Sequence, residues 1–345
     1  MKSFVDHAYL IDTFFRFVKT PSPVGYPVLM NPVLKEEAEK LGLTVTLDNR
    51  SNAYITVKGE DTSKTVLVNA HLDTVGMMVT AVNADGSLSF RSIGAPNLCS
   101  AESENVTVHT RDGRTYSGLL LCKSHSIHIF DDARTRERND DSMMVVLDER
   151  VASKADTLAL GIRVGDYVSI DARPVLTDKG FLKSRYIDDK AGVACALAVL
   201  KYMTENGIRP KYNTVFQFTY YEENSGGVPI PEGVSEMLAI DIGLVAPTQE
   251  GSEYAVSICQ KDFSTVYDYG LTSHLISLAE SGEIPYKIDV HYRYGSDVGV
   301  TLREGKDLRG ALIGMAVLGS HGVERTHIES LDATARLIFA YLTEK

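Results

Sequence analysis

The chain reads as an α/β domain interrupted by a β insertion. Three observations predict this. Helical spacing alternates with short β-branched runs at both ends, the long middle shows no extended helical pattern, and a helical segment returns abruptly after "FLKSRYIDDKAG". At 345 residues the chain also exceeds one ordinary core, since roughly 150 residues per domain gives about two.

The elements follow in order. Tyr9, Leu10, Phe14, Phe15 and Val18 have the spacing of a helix that stops at "TPSPVG". A second helix through "VLKEEAEKLG" closes on Gly42 as its C-terminal cap. "LTVTLD", "AYITVKG" and "TVLVNAH" are then strands separated by turn residues, the last ending on His71. From Met77 to Val175, Gly, Asp and Asn punctuate alternating runs such as "GSLSFRSIG" and "GDYVSIDA", so this stretch is a separate, mostly β domain. "AGVACALAVLKYMTENG" is a long helix of small residues. "YNTVFQFTYY" is a strand of the kind buried in a parallel sheet, and "IESLDATARLIFAYL" is a closing amphipathic helix. The expected division is residues 1–75 and 178–345 for the outer domain and 76–177 for the insertion.

Composition narrows the function. The net charge is −11, with acidic residues dispersed along the chain, which disfavours nucleic acid and anionic membrane as partners and suits peptides. Cys99, Cys122, Cys195 and Cys259 form no CxxC pair, so reduced thiols are expected. Asp6 and Asp12 interrupt the N-terminal apolar stretch, and no segment reaches the roughly 20 apolar residues of a membrane span. A cytoplasmic location is the expectation.

The chemistry lies in where acids and histidines fall relative to the strands. His71 and Asp73 follow one strand, Asp188 and Asp189 precede a helix, Glu222 and Glu223 end another strand, and Asp241 ends the next. Strand carboxyl ends gather on one edge of an α/β sheet, so these acids converge. Lys190 and Arg185 are too few to neutralise them, and adjacent buried glutamates in "TYYEENSGG" resist desolvation. Divalent metal answers both problems: two ions roughly 3.5–4 Å apart can share a bridging carboxylate and take histidine nitrogens. That arithmetic asks for a second histidine far downstream, and "GVERTHIES" offers His327. In "HLDTVG" the period-two backbone sets His71 and Asp73 on one face, where Asp73 can accept the second imidazole proton. Adjacent strand residues point oppositely, so the backbone must leave extended form at Glu222 and Glu223. Asn224, Ser225, Gly226 and Gly227 ease that bend.

"NAHLDTVGMMV", "SRYIDDKAG", "YYEENSGG", "AIDIG", "YGSDVG" and "ERTHIES" occur in the order seen in the tetrahedral (TET) aminopeptidases, which the chain resembles over nearly its whole length. These are dinuclear metallopeptidases also described as glutamyl or deblocking aminopeptidases, or as CelM-like endoglucanases. The resemblance implies a mixed-sheet, phosphorylase/hydrolase-like zinc-peptidase domain with a small β-barrel-like insertion that serves in oligomerisation or as a lid. It implies that His71 and Asp241 hold one metal, Glu223 and His327 the other, and Asp188 bridges them. Glu222 would be the general base and acid, Asp73 the partner of His71, and the Asp188–Asp189 peptide bond cis. It further implies two divalent ions per subunit, zinc first with cobalt and manganese as alternatives, short peptide substrates, and a dimer-based homo-oligomer up to a dodecamer. Thr74 after the "HLD" triplet and "ERT" before His327 depart from the family's pattern and bear on substrate preference.

Taken singly, each acid is better read as a solvated loop residue, and "IDDKAG" as a helix start favoured by the dipole. The ordered set overturns those readings. His125 and His128 are read as strand or lid residues, and His274, His291 and His321 have no evident partner. Asp262 and Asp297 suit either the substrate pocket or turns, and most tyrosines read as packing. The competing functions are a related dinuclear dipeptidase, tripeptidase or deacylase, and a catalytically silent structural relative. A glycanase is disfavoured, since its paired carboxylates need no histidine ligands.

Overall fold

The structure is a computed structural model that describes residues 3–224 and 226–344. Ser225, one of the four residues expected to form the bend, lies outside them. Contact density divides the chain into two units, Met1–Asp73 with Arg173–Lys345, and Thr74–Ala172.

The first unit is built on a mixed sheet, nine-stranded among the described residues. Its centre is the strand Asp61–His71, whose last six residues are all buried. Tyr212–Thr219 and Val234–Ile240 flank it, both parallel to it, and Arg309–Val317 continues the parallel run beyond Val234–Ile240. Burial on both faces explains why these strands read as near-continuous apolar runs. Antiparallel partners at either side, Ala53–Val57 and Val256–Lys261, make the sheet mixed.

Helix Ile187–Glu205 packs against the strand Asp61–His71 and against helices His7–Val18 and Ile328–Thr343. Its small residues Ala191, Ala194, Ala196 and Ala198 are buried and permit close approach to those neighbours. The first helix starts where Asp6 accepts the Tyr9 amide at 3.1 Å, a cap worth about 1 kcal/mol. The second ends at Lys40, with Gly42 at φ 72° turning the chain away as expected.

The second unit is a closed six-stranded barrel over residues 76–170, filled by Met77, Val79, Phe90, Val108, Leu120, Val145 and Val168. Its short helices, Leu98–Ala101 and Lys154–Ala159, leave it essentially all β. His125 stands edge-on to Phe130 in the strandless stretch before Met143–Leu147, not in a strand.

Candidate metal centre

Register explains why the predicted acids meet. His71 pairs with Thr219, Asn69 with Ala239, and Ile240 with Ile313, so the carboxyl ends of the parallel strands lie along one edge. The amide of Leu72 bonds the carbonyl of Thr219 at 2.8 Å and that of Asp241 bonds Ile313 at 3.0 Å, tying the departing loops together. Beyond Thr219 the chain turns into a single 3-10 turn, Glu222–Asn224. That turn is how two adjacent glutamates face one site.

His71 Nε2 lies 2.9 Å from Asp188 Oδ1, 3.8 Å from Glu222 and 4.0 Å from Asp241. Two sets of ligand atoms close enough to share an ion result: His71 with Glu222 and Asp241, and His71 with Asp188 and Glu223. The Asp188–Asp189 bond is cis, and both residues fall outside helical geometry, so the helix proper begins after them.

Two predicted residues lie elsewhere than their expected roles require. His327 is not at the cluster: its Nε2 bonds the carbonyl of Lys179 at 2.7 Å, and its ring packs on Phe181 and Tyr254. His321, which the sequence left unassigned, places Nε2 3.5 Å from Glu223 and 3.6 Å from Asp188. Nor does the Asp73 carboxylate take the second proton of His71. The Asp73 carbonyl oxygen accepts it, 3.0 Å from Nδ1, while the carboxylate, 3.6 Å away, accepts the amides of Glu222 at 3.3 Å and Glu223 at 3.1 Å. Asp73 thus fixes the glutamate turn, and its main chain sets the His71 tautomer.

Glu324 also escaped the sequence reading. Buried, it accepts the Asp188 amide at 3.1 Å and the His321 amide at 3.2 Å. One carboxylate thereby positions the two segments carrying Asp188 and His321. His321 itself has φ 61°, unusual for any residue but glycine.

The remaining candidates are accounted for by local structure. Asp262 accepts the amides of Ser264 and Thr265 and the Tyr267 hydroxyl, which is a turn role. Asp297 Oδ2 takes the Thr219 hydroxyl at 2.6 Å and Asn69 at 3.2 Å, bracing two of the strands that end at the site. His291 meets Gln249 and His274 meets Glu344.

Burial disfavours charge on this cluster unless cations or protons neutralise it. Burial pushes the Glu222, Glu223 and Asp241 carboxyls well above their usual range, reinforced by one another and by Asp188. Burial also opposes charge on His71, but Asp188, Glu222 and Asp73 outweigh it and hold its pKa well up. Asp73 is raised to about 6, chiefly by burial. Lys190, next to the cluster in sequence, donates instead to the carbonyls of Phe17 and Thr20. Carboxylates and imidazoles in this proportion, buried and short of counter-charge, are a donor set for divalent ions.

Comparison with known proteins bears on the fold and the family. "Putative aminopeptidase YhfE" of Bacillus subtilis (strain 168) is 38% identical over 327 residues, 94% of each chain. Among solved structures, the TET aminopeptidase of a marine sediment Thaumarchaeota archaeon superposes with a TM-score of 0.86 at 18% identity, covering 98% of this chain and 96% of that one. The TET1 peptidase of Pyrococcus horikoshii, which can assemble into a tetrahedron or a large octahedral shell, gives 0.83 at 21% identity, covering 97% and 100%. Those two likenesses are of fold. The model of the M42 glutamyl aminopeptidases matches residues 51–337. The chain belongs to that family and is an aminopeptidase, a peptide hydrolase.

Proposed function

We propose that this chain removes N-terminal residues from short peptides at a dinuclear metal centre. His71 and Asp241 would hold one ion, Glu223 and His321 the other, with Asp188 between them; the two candidate ligand sets that meet at His71, and the His321 Nε2 lying 3.5 Å from Glu223 and 3.6 Å from Asp188, support this reading. Zinc suits the nitrogen and carboxylate donors, as do cobalt and manganese. When bound, the ions supply charge that polarises the scissile carbonyl and makes a nearby water acidic enough to attack near neutral pH.

The chain's own residues do the rest. Glu222 accepts the proton that the attacking water gives up and delivers it to the nitrogen as the C–N bond breaks. Asp73 keeps Glu222 in reach by holding its amide and that of Glu223. The Asp73 carbonyl occupies Nδ1 of His71, so Nε2 faces the ligand site. Pyrococcus horikoshii TET1, described as a dodecamer and as a tetrahedron or a large octahedral shell, supports a homo-oligomer, for which we propose assembly from dimers, up to a dodecamer, with the barrel unit serving in assembly or as a lid.

The test is hydrolysis of aminoacyl p-nitroanilides and short peptides, free and N-acetylated, by wild type and Glu222→Gln, with metal content measured on both. The reading expects two ions in each protein and release of free N-terminal residues by wild type alone. Equal turnover by Glu222→Gln would remove Glu222 from the mechanism. Cleavage of only the N-acetylated substrates would favour a deacylase or endopeptidase.

A further inference from the structure

Arg50 is a cation that the chemistry above leaves unused. It sits in the turn between Leu47 and Ala53, and strand register places that turn at the edge of the sheet where the candidate ligands meet. Ala53 pairs with Phe218, so the residues before it run alongside Thr219, Tyr220 and Tyr221. The Tyr220 amide donates to Asn52 Oδ1 at 3.2 Å and fastens the turn there. The exposed Arg50 guanidinium lies over the ring of Tyr221, 3.9 Å from its centroid and one residue before Glu222. A Cβ at Gly226 would stand 3.6 Å from an Arg50 nitrogen, so the guanidinium also borders the glycine bend.

The turn holds this arginine out. The Asp48 carboxylate accepts the amides of Arg50 at 2.8 Å and Asn52 at 2.9 Å, the Asn52 side chain at 2.9 Å and the Tyr54 hydroxyl at 2.9 Å. The acid nearest in sequence is thus engaged by other donors, and among the described residues no carboxylate lies within ion-pair distance of Arg50. A guanidinium left open beside an acidic cluster attracts the substrate group which that cluster repels, a carboxylate. A short peptide with free ends carries one at its C-terminus. The reach agrees. Ala53–Val57 is two strands from Asp61–His71, so at roughly 4.8 Å per strand the turn stands about 10 Å from His71 across the sheet. An extended peptide spans about 3.3–3.6 Å per residue, so two or three residues beyond the scissile bond bridge that gap.

We propose that Arg50 is a specificity-determining residue that binds the C-terminal carboxylate of tri- and tetrapeptides whose N-terminal peptide bond lies at the metal centre. Its planar fork offers parallel N–H donors to both carboxylate oxygens, and the Tyr221 ring supports it from behind. The proposal rests on the peptide-hydrolysis reading above and deepens it by naming the substrate class, short peptides with a free C-terminus.

The test compares one tripeptide as free acid and as C-terminal amide, beside an aminoacyl p-nitroanilide, on wild type, Arg50→Gln and Arg50→Lys. Wild type is expected to favour the acid over the amide by about tenfold to a hundredfold in kcat/KM, the scale of one charge-assisted pair, chiefly through KM. Arg50→Gln abolishes that preference and loses far less on the p-nitroanilide, which has no carboxylate. Arg50→Lys keeps part of the preference, since the charge remains and the fork does not. Wild type that cleaves acid and amide equally well overturns this proposal alone, and so does a preference that survives in Arg50→Gln. Equal losses by Arg50→Gln on all three substrates also overturn it, making the arginine a support for the Tyr221–Glu222 turn. Wild type that hydrolyses none of the three sinks the aminopeptidase reading and this inference with it.

Discussion

Gly314 tests whether the site depends on strand packing rather than on its ligands alone. It lies in the strand Arg309–Val317, one residue beyond the carbonyl of Ile313 that accepts the Asp241 amide. A Cβ at position 314 would stand 1.7 Å from the Asp241 carbonyl oxygen and 2.7 Å from its carbon, both backbone atoms without a rotamer to relieve them. Real Cβ contacts essentially never fall below 3.0 Å, so the chain at Asp241 has to retreat by 1.3 Å or more. Overpacking of this kind costs about 1–3 kcal/mol, and a misplacement of about 1 Å at a reacting centre costs on the order of a hundredfold in rate. Gly314→Ala is therefore expected to remain folded with a lowered denaturation midpoint. Its kcat on an aminoacyl p-nitroanilide should fall by about two orders of magnitude and its affinity for the ion we propose at Asp241 should weaken. Metal titration, steady-state kinetics and urea melts on the same preparations check this. Wild-type kcat and metal affinity in Gly314→Ala would refute the reasoning.

Two further predictions concern the glutamate turn and the barrel. Asp73→Asn retains one acceptor oxygen for the two amides of Glu222 and Glu223, so leaving one orphaned is expected to cost about 1–3 kcal/mol in urea unfolding, with a lower kcat. In the barrel, His109 is buried against Ser169 at 2.8 Å, and burial lowers its pKa from 6.5 to about 4. The folded-state pKa lies below the unfolded one, so the unfolded chain binds the proton more readily. Stability is thus intact above pH 6.5 and falls through that window to about pH 4, by about 3 kcal/mol for this residue. Denaturant melts of wild type and His109→Asn from pH 7 to pH 4 should show their difference shrinking by that amount as pH falls. A pH-independent difference would contradict it.

Most of the fold was legible because its signals are local. The β-branched runs ending at His71, Thr219 and Ile240 mark strands, and position at a strand's carboxyl end assigns His71, Glu222, Glu223 and Asp241 to one edge without further information. Glu222 and Glu223 were legible because the Gly-rich bend beside them permits the 3-10 turn. His327 misled for a related reason. It ends a short strand too, Glu324–His327, but that strand belongs to a three-stranded sheet with Phe181–Ser184, not to the main one. His321 sits in a turn, and turns carry no periodic signal. A usable clue did exist: "RGALIGMAV" is a buried strand parallel to Val234–Ile240, so the loop after Val317, four residues before His321, reaches the same edge as Asp241. The Asp73 carboxylate was assigned to the wrong hydrogen because two acceptors on one residue, carbonyl and carboxylate, cannot be told apart by spacing. Glu324 acts on Asp188, far from it in sequence, through a contact that no local pattern encodes.

The central claim is that two ions are held with His321, not His327, as the second histidine. The most direct measurement is the number of divalent ions per chain, by elemental analysis after gel filtration, for wild type, His321→Ala and His327→Ala. The account predicts two ions in wild type and in His327→Ala, and loss of the one beside Glu223 in His321→Ala. Two ions retained by His321→Ala, with one lost from His327→Ala, would contradict it.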